Sequence, residues 1–176
     1  LNSAANIFII SGTNALGGAA STANLTVGLP YANPLIFSGV NITQGNTGTV
    51  SVRGNNSATL GPVTVNRGVT LAIEGAGLTT PLGNGVVTAF GGTISTDTTT
   101  DAKFGNTDFR LYGGSTLFLD NATVTTANTD RRLLNTTNID LTSSILRLRG
   151  DGGAATASAQ TVNSIDYWGG STLSVD

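Results

Sequence analysis

Asp97, Asp101 and Asp108 fall within twelve residues of one another, around a polar insertion (TDTTTDAKFGN, Thr96 to Asn106) that reads as the loop projecting furthest from the body. Carboxylates grouped in this way are what polysaccharide-cleaving enzymes use as paired acids, and what calcium takes as oxygen ligands. The competing explanation is local: Asp is a favoured loop residue because it hydrogen-bonds its own backbone. No Glu joins the group and Lys103 is its one basic neighbour, so the reading assigns no catalytic residue, no metal ligand and no cofactor.

Other chemistry is thin. Histidine and cysteine are absent, which removes the commonest general base, the commonest transition-metal ligand, thiolate sites and disulfides. Arg149-Gly150-Asp151 is the tripeptide that integrins read, but Arg149 is better explained as the outward neighbour of Leu148, followed by a Gly-Asp-Gly-Gly turn. Five Asn-x-Ser/Thr sequons begin at Asn24, Asn41, Asn55, Asn121 and Asn135, and in a chain this rich in Asn and Thr composition alone produces several. Tyr167-Trp168 could stack on a sugar; an aromatic pair there more often closes a core or packs on a neighbour.

Composition narrows the class. Of 176 residues only 10% are charged, whereas 29 are Thr and 24 are Gly, so the surface is uncharged and polar. β-Branched residues and frequent glycines favour strands with tight corners over helices. A net charge of -2, with one Lys and seven Arg scattered along the chain, offers no cationic stripe for a phosphate backbone, which argues against nucleic-acid binding. No run approaches the roughly 20 apolar residues that a helical membrane span requires.

The elements are most legible between Ser57 and Ser95. Val63 and Val65 alternate with Thr64 and Asn66; after an Asn66-Arg67-Gly68 corner the alternation resumes as Val69, Leu71 and Ile73. A Gly/Pro/Asn loop leads to a third run, Val86 to Phe90, and Gly91-Gly92 introduces Thr93-Ile94. Gly-Gly-Ser-Thr-Leu occurs at 113–117 and again at 169–173. Aligning the core residue of this corner gives Leu25, Val50, Leu71, Ile94, Leu117, Leu146 and Leu173, a period near 25 residues. Such a period signals stacked turns, about one per three-sided coil. The expected fold is therefore all-β, a parallel β-helix of about seven turns in one domain spanning residues 1–176. An antiparallel sandwich or jelly roll, with Asn66-Arg67-Gly68 and Tyr112-Gly113-Gly114 as hairpin turns, is the alternative.

The order T-x-x-G-x-V-T-V-N-x-G-x-T-L, a loop with P-L-G-N-G, then V-V-T and G-G-T-I resembles the autotransporter-associated β-strand repeat of bacterial surface passengers. The resemblance covers residues 57–96 most fully and 24–53 and 112–120 in part. It implies a right-handed parallel β-helix exported to the bacterial cell surface, usually without enzymatic activity. The chain carries neither the family's membrane barrel nor a signal peptide, and it begins with Leu1, so it is expected to be a mature fragment or processed subunit.

The two ends complete the expectation. The uncharged Ile7, Phe8, Ile9 and Ile10 open the chain, and Leu173 and Val175 stand in its final strand, with no Pro or charged strand protecting either. These six residues are expected to form an end-to-end interface, with identical copies or adjoining solenoid turns as partner and filaments as product. The functional expectation is a non-enzymatic structural or adhesive surface protein, surface glycans being a further possible partner; a glycan-binding or glycan-cleaving module of the same fold is the alternative.

Overall fold

The computed structural model describes residues 8–12, 24–27, 35–39, 48–52, 62–74, 77–96, 102–106, 108–121, 132–150 and 159–176, with side chains from residue 62 onward. The chain advances through pairs of short strands: β1 (Phe8–Gly12) and β2 (Asn24–Val27), β3 (Leu35–Gly39) and β4 (Gly48–Val52), β5 (Val63–Asn66) and β6 (Val69–Ile73), β7 (Val87–Phe90) and β8 (Thr93–Thr96), β9 (Asp108–Tyr112) and β10 (Thr116–Asp120), β11 (Asn138–Thr142) and β12 (Ile145–Arg149), β13 (Ser164–Trp168) and β14 (Thr172–Val175). Odd-numbered strands build one seven-stranded sheet and even-numbered strands the other, each strand lying beside its counterpart from the neighbouring coil. Every pairing between these strands is parallel. The fold is a parallel β-solenoid.

This excludes the sandwich. Asn66-Arg67-Gly68 and Tyr112-Gly113-Gly114 do not fold strands back on themselves; they are corners at which the chain leaves one sheet for the other. One coil departs from the three-sided expectation: after β5 and β6, the described residues 77–86 form no strand. The run from Val86 to Phe90 is accordingly not a third side: Val87 pairs with Val63, so β7 opens the next coil.

The column derived from the period lies in register along its whole length. Leu25 pairs with Val50, Val50 with Leu71, Leu71 with Ile94, Ile94 with Leu117, Leu117 with Leu146 and Leu146 with Leu173. Opposite it, in the first sheet, Val63, Val87, Phe109 and Ile139 form a second column. The buried members interlock across the interior with Val65, Ile73, Ala89, Leu111, Leu119 and Leu141. Successive strand residues point to opposite faces, so Thr64, Thr70, Thr88 and Thr116 are left partly exposed.

The corners explain the recurring Gly-Gly-Ser-Thr-Leu. Gly113 and Gly114 have φ of 59° and 83°, and Gly169 and Gly170 repeat this at 60° and 76°, a conformation that β-carbons resist. The following serine locks the corner. Ser115 Oγ donates to Tyr112 O at 2.6 Å and accepts the Gly91 N–H of the preceding coil at 2.7 Å; Ser171 Oγ donates to Trp168 O at 2.8 Å and accepts the Ser144 N–H.

Leu71→Asp and Leu117→Asp should abolish cooperative folding of the solenoid, because both leucines are completely buried and an unpaired charge there costs several kcal/mol. Thr70→Ser and Thr116→Ser should change stability by less than about 1 kcal/mol. Thermal melts of the four variants check the face assignment.

Candidate functional site

The described residues place the anticipated chemistry unevenly. Asp97, Asp101, Asp151 and Ile7 lie outside them. Asp108 opens β9, and its Oδ1 accepts the Asn138 side-chain N–H at 2.9 Å. No group of three or more His, Cys, Asp or Glu side chains that could hold a metal ion occurs among the described residues. Arg149 lies on the outward face and pairs with a carboxylate, as described below, and among the described residues no helix is long and apolar enough to cross a membrane. Phe8, Ile9 and Ile10 belong to β1, which forms one edge of the first sheet; Leu173 and Val175 belong to β14, which forms one edge of the second.

The densest polar constellation was not legible as a site. Asp130-Arg131-Arg132 reads as a charged turn, yet Arg132 is fully buried. Its Nε donates to Asn121 Oδ1 at 2.6 Å, Nη1 to Ala102 O at 2.8 Å and Nη2 to Asp120 O at 2.8 Å, while Arg132 O accepts the Phe104 N–H. The cause lies in the backbone. Pairing between β8 and β10 runs from Thr116 with Thr93 only to Phe118 with Ser95. Beyond it, side chains bond the buried backbone amide and carbonyl of Asp120, as buried backbone groups require partners. Thr96 Oγ1 accepts the Asp120 N–H at 2.8 Å and Arg132 takes the carbonyl. The Asp120 carboxylate, almost wholly buried, receives a two-pronged ion pair from Arg149, its register partner on β12. Gln160 completes the clasp by imitating a strand: its Oε1 accepts Leu133 N–H and its Nε2 donates to Leu133 O, both at 3.1 Å. This cluster splices coils together where the ladder is interrupted. It also takes Asn121 out of reach as a glycosylation acceptor, whereas Asn135 is exposed.

A second constellation is on the surface. Asn66, Phe90, Tyr112, Thr142 and Trp168 occupy one outward row of the first sheet, each in register with the next. The Phe90 and Tyr112 rings are stacked, 5.4 Å between centroids at 17°. Two residues earlier on the strands, Arg110, Asp140 and Asp166 form a parallel row, with Arg110 Nε 3.8 Å from Asp140 Oδ2. The anticipated Tyr167-Trp168 pair is thus divided between faces: Tyr167 continues the inward column after Leu141, and Trp168 points out beside the aromatic row.

At the last coil, Arg147 spans Phe118 and Asp176. Its guanidinium lies 4.8 Å from the Phe118 ring centroid, and Nε donates to Asp176 Oδ2 at 2.5 Å. Hydrogen bonds from Arg147 and then Ser174 hold the Asp176 carboxyl below its usual range. Comparison with protein-family models, curated proteins and solved structures returns no match to this chain.

Arg132→Lys should destabilise the protein by about 2–4 kcal/mol, because an ammonium cannot serve three acceptors arranged around a planar fork; chemical denaturation measures this. The pH dependence at Asp176 follows from a folded pKa lower than the unfolded one. Its contribution is complete above the ordinary carboxylate range and disappears as pH falls through the lowered value. Protection of the β14 amides, corrected for the intrinsic exchange rate, should therefore fall selectively at acid pH, and Asp176→Asn should flatten that dependence.

Proposed function

We propose that the chain is a non-enzymatic structural or adhesive solenoid of a bacterial cell surface, whose last described coil joins identical copies or adjoining solenoid turns through its strands. The observation that carries this reading is the abrupt change of exposure along continuous columns. Leu117 and Leu146 are 0% and 2% exposed, but Leu173, next in the same column, is 44% exposed, and Val175 beyond it 72%. In the other sheet Leu141 is buried and its register partner Tyr167 is 45% exposed. One more coil set on β13 and β14 would bury these groups and give their unpaired backbone edges a ladder.

The use of charge supports a structural role. Arg132 binds carbonyls, Arg149 binds Asp120, Arg147 binds Asp176 and Arg110 faces Asp140, so these ionic side chains fasten coil to coil. Export to a surface rests on the repeat resemblance and on a polar surface with few charges.

Electron microscopy of the purified protein at micromolar concentration tests copy-to-copy joining. Fibres with an axial repeat near one chain length are expected, and Val175→Pro should abolish them by removing an N–H from the joining ladder. Dispersed monomers at every concentration would eliminate identical copies and leave adjoining turns as the partner. A polysaccharide panel tests the absence of catalysis: release of reducing ends that vanishes in Asp108→Asn would overturn it.

A further inference from the structure

We propose that the outward face of the first sheet binds a neutral pyranose glycan, with one sugar ring seated between Tyr112 and Trp168 above Thr142. The proposal rests on the adhesive reading and supplies the class of ligand to be held. Phe90 has coils on both sides of it and is still 50% exposed, so the row is solvent-facing by orientation and not because the last coil is open. Trp168 is 68% exposed. The rings of Phe90 and Tyr112 stack rung on rung, which turns their faces along the solenoid axis. Thr142 interrupts the row. Tyr112 and Trp168 are consequently two rungs apart, about 9.6 Å at roughly 4.8 Å per rung. That distance leaves room for one further ring making contacts of about 3.5–4.0 Å with a side chain on either side.

A pyranose suits this slot better than another aromatic. Its C–H faces are apolar and carry slight positive charge, matching the negative face of an aromatic ring. Its hydroxyls radiate from the edge and need partners that both donate and accept. Arg110 and Asp140, half-exposed and paired, stand beside Tyr112 and Thr142 on the same face, and Asp166 stands beside Trp168. Guanidinium N–H groups and carboxylate oxygens together satisfy a diol. The corners next to the rings leave space for a chain to pass. A β-carbon added at Gly113, Gly114 or Gly170 would meet nothing within 4 Å. Charge selects the class: among the described residues of this face Asp108, Asp140 and Asp166 outnumber Arg110, so a polyanionic glycan is repelled.

Trp168 is the protein's one tryptophan, so its fluorescence reports on the slot without labelling. The probes are cello-, chito- and laminari-oligosaccharides, with polygalacturonate as the anionic comparison. At least one neutral series should change the emission saturably. Tyr112→Ala and Asp140→Ala should each weaken that binding about tenfold or more. Thr142→Phe, which continues the aromatic row and keeps an outward residue, should block the slot while the far-ultraviolet dichroism stays that of the parent. No response to any neutral series, tighter binding of polygalacturonate, or undiminished binding by Thr142→Phe would overturn the proposal. Fibre formation is scored separately in the same variants. In the parent protein, absence of glycan binding with fibres intact counts against this site alone, and absence of fibres with binding intact counts against copy-to-copy joining alone.

Discussion

Parallel, in-register pairing places every residue directly beside the residue at the same position of the neighbouring coil, and most of the molecule follows from that. An apolar position has to be apolar in coil after coil, as in the column from Leu25 to Leu173, because one polar member would leave two neighbours unburied. A charged outward position meets its like at about 4.8 Å, and like charges directly opposite destabilise a sheet. This accounts for a surface of Thr, Ser, Asn and Gly with only 10% charge. Asp140 beside Asp166 shows the difficulty and its relief, since Arg110 flanks Asp140 on the other side.

The corners obey the same rule. An inter-coil hydrogen bond runs from Gly91 N–H to Tyr112 O, from Gly113 N–H to Thr142 O and from Ser143 N–H to Trp168 O, so the bends form a ladder of their own. Side chains are restricted there from two directions. Gly92 could not take a β-carbon without meeting Val65 Cγ1 at 2.7 Å and Asn66 O at 2.8 Å, while Gly113 and Gly114 are required for their backbone angles alone. Repetition of Gly-Gly-Ser records one geometric demand met twice in similar form.

That periodicity is why the fold was readable from sequence. Valine and leucine alternation located β5 and β6, and the recurring corner aligned residues more than 140 positions apart into one column. What was not readable breaks the period. Residues 77–86 carry no alternation, so nothing local indicates whether that side of the coil holds a strand. Arg132 follows Asp130-Arg131, the composition of an exposed turn, and its burial depends on where the β8–β10 ladder stops and on acceptors 11, 12 and 30 residues away. The aromatic row was missed for a related reason: Phe90, Tyr112 and Trp168 share no sequence neighbourhood, and only the register makes them one surface.

The coil of Thr142 departs from its neighbours twice, and the departures are connected. Phe90, Tyr112 and Trp168 each precede Gly-Gly, whereas Thr142 precedes Ser143-Ser144. Ser143 adopts φ of 49°, a conformation that costs a non-glycine residue on the order of 1 kcal/mol. Bonds that glycine cannot make offset the cost: Ser143 Oγ donates to Gly169 O at 2.5 Å, and Ser144 Oγ to Thr142 O at 2.9 Å. The Ser143 hydroxyl would lie 2.9 Å from a β-carbon on residue 169, which is one reason Gly169 follows Trp168. The rung lacking an aromatic ring is therefore also one bonded to the coil bearing Trp168 through both backbone and side chain at its corner. Such bonds fix the floor between Tyr112 and Trp168, so the separation of the two walls is set by the ladder and its corners, not by loop conformation.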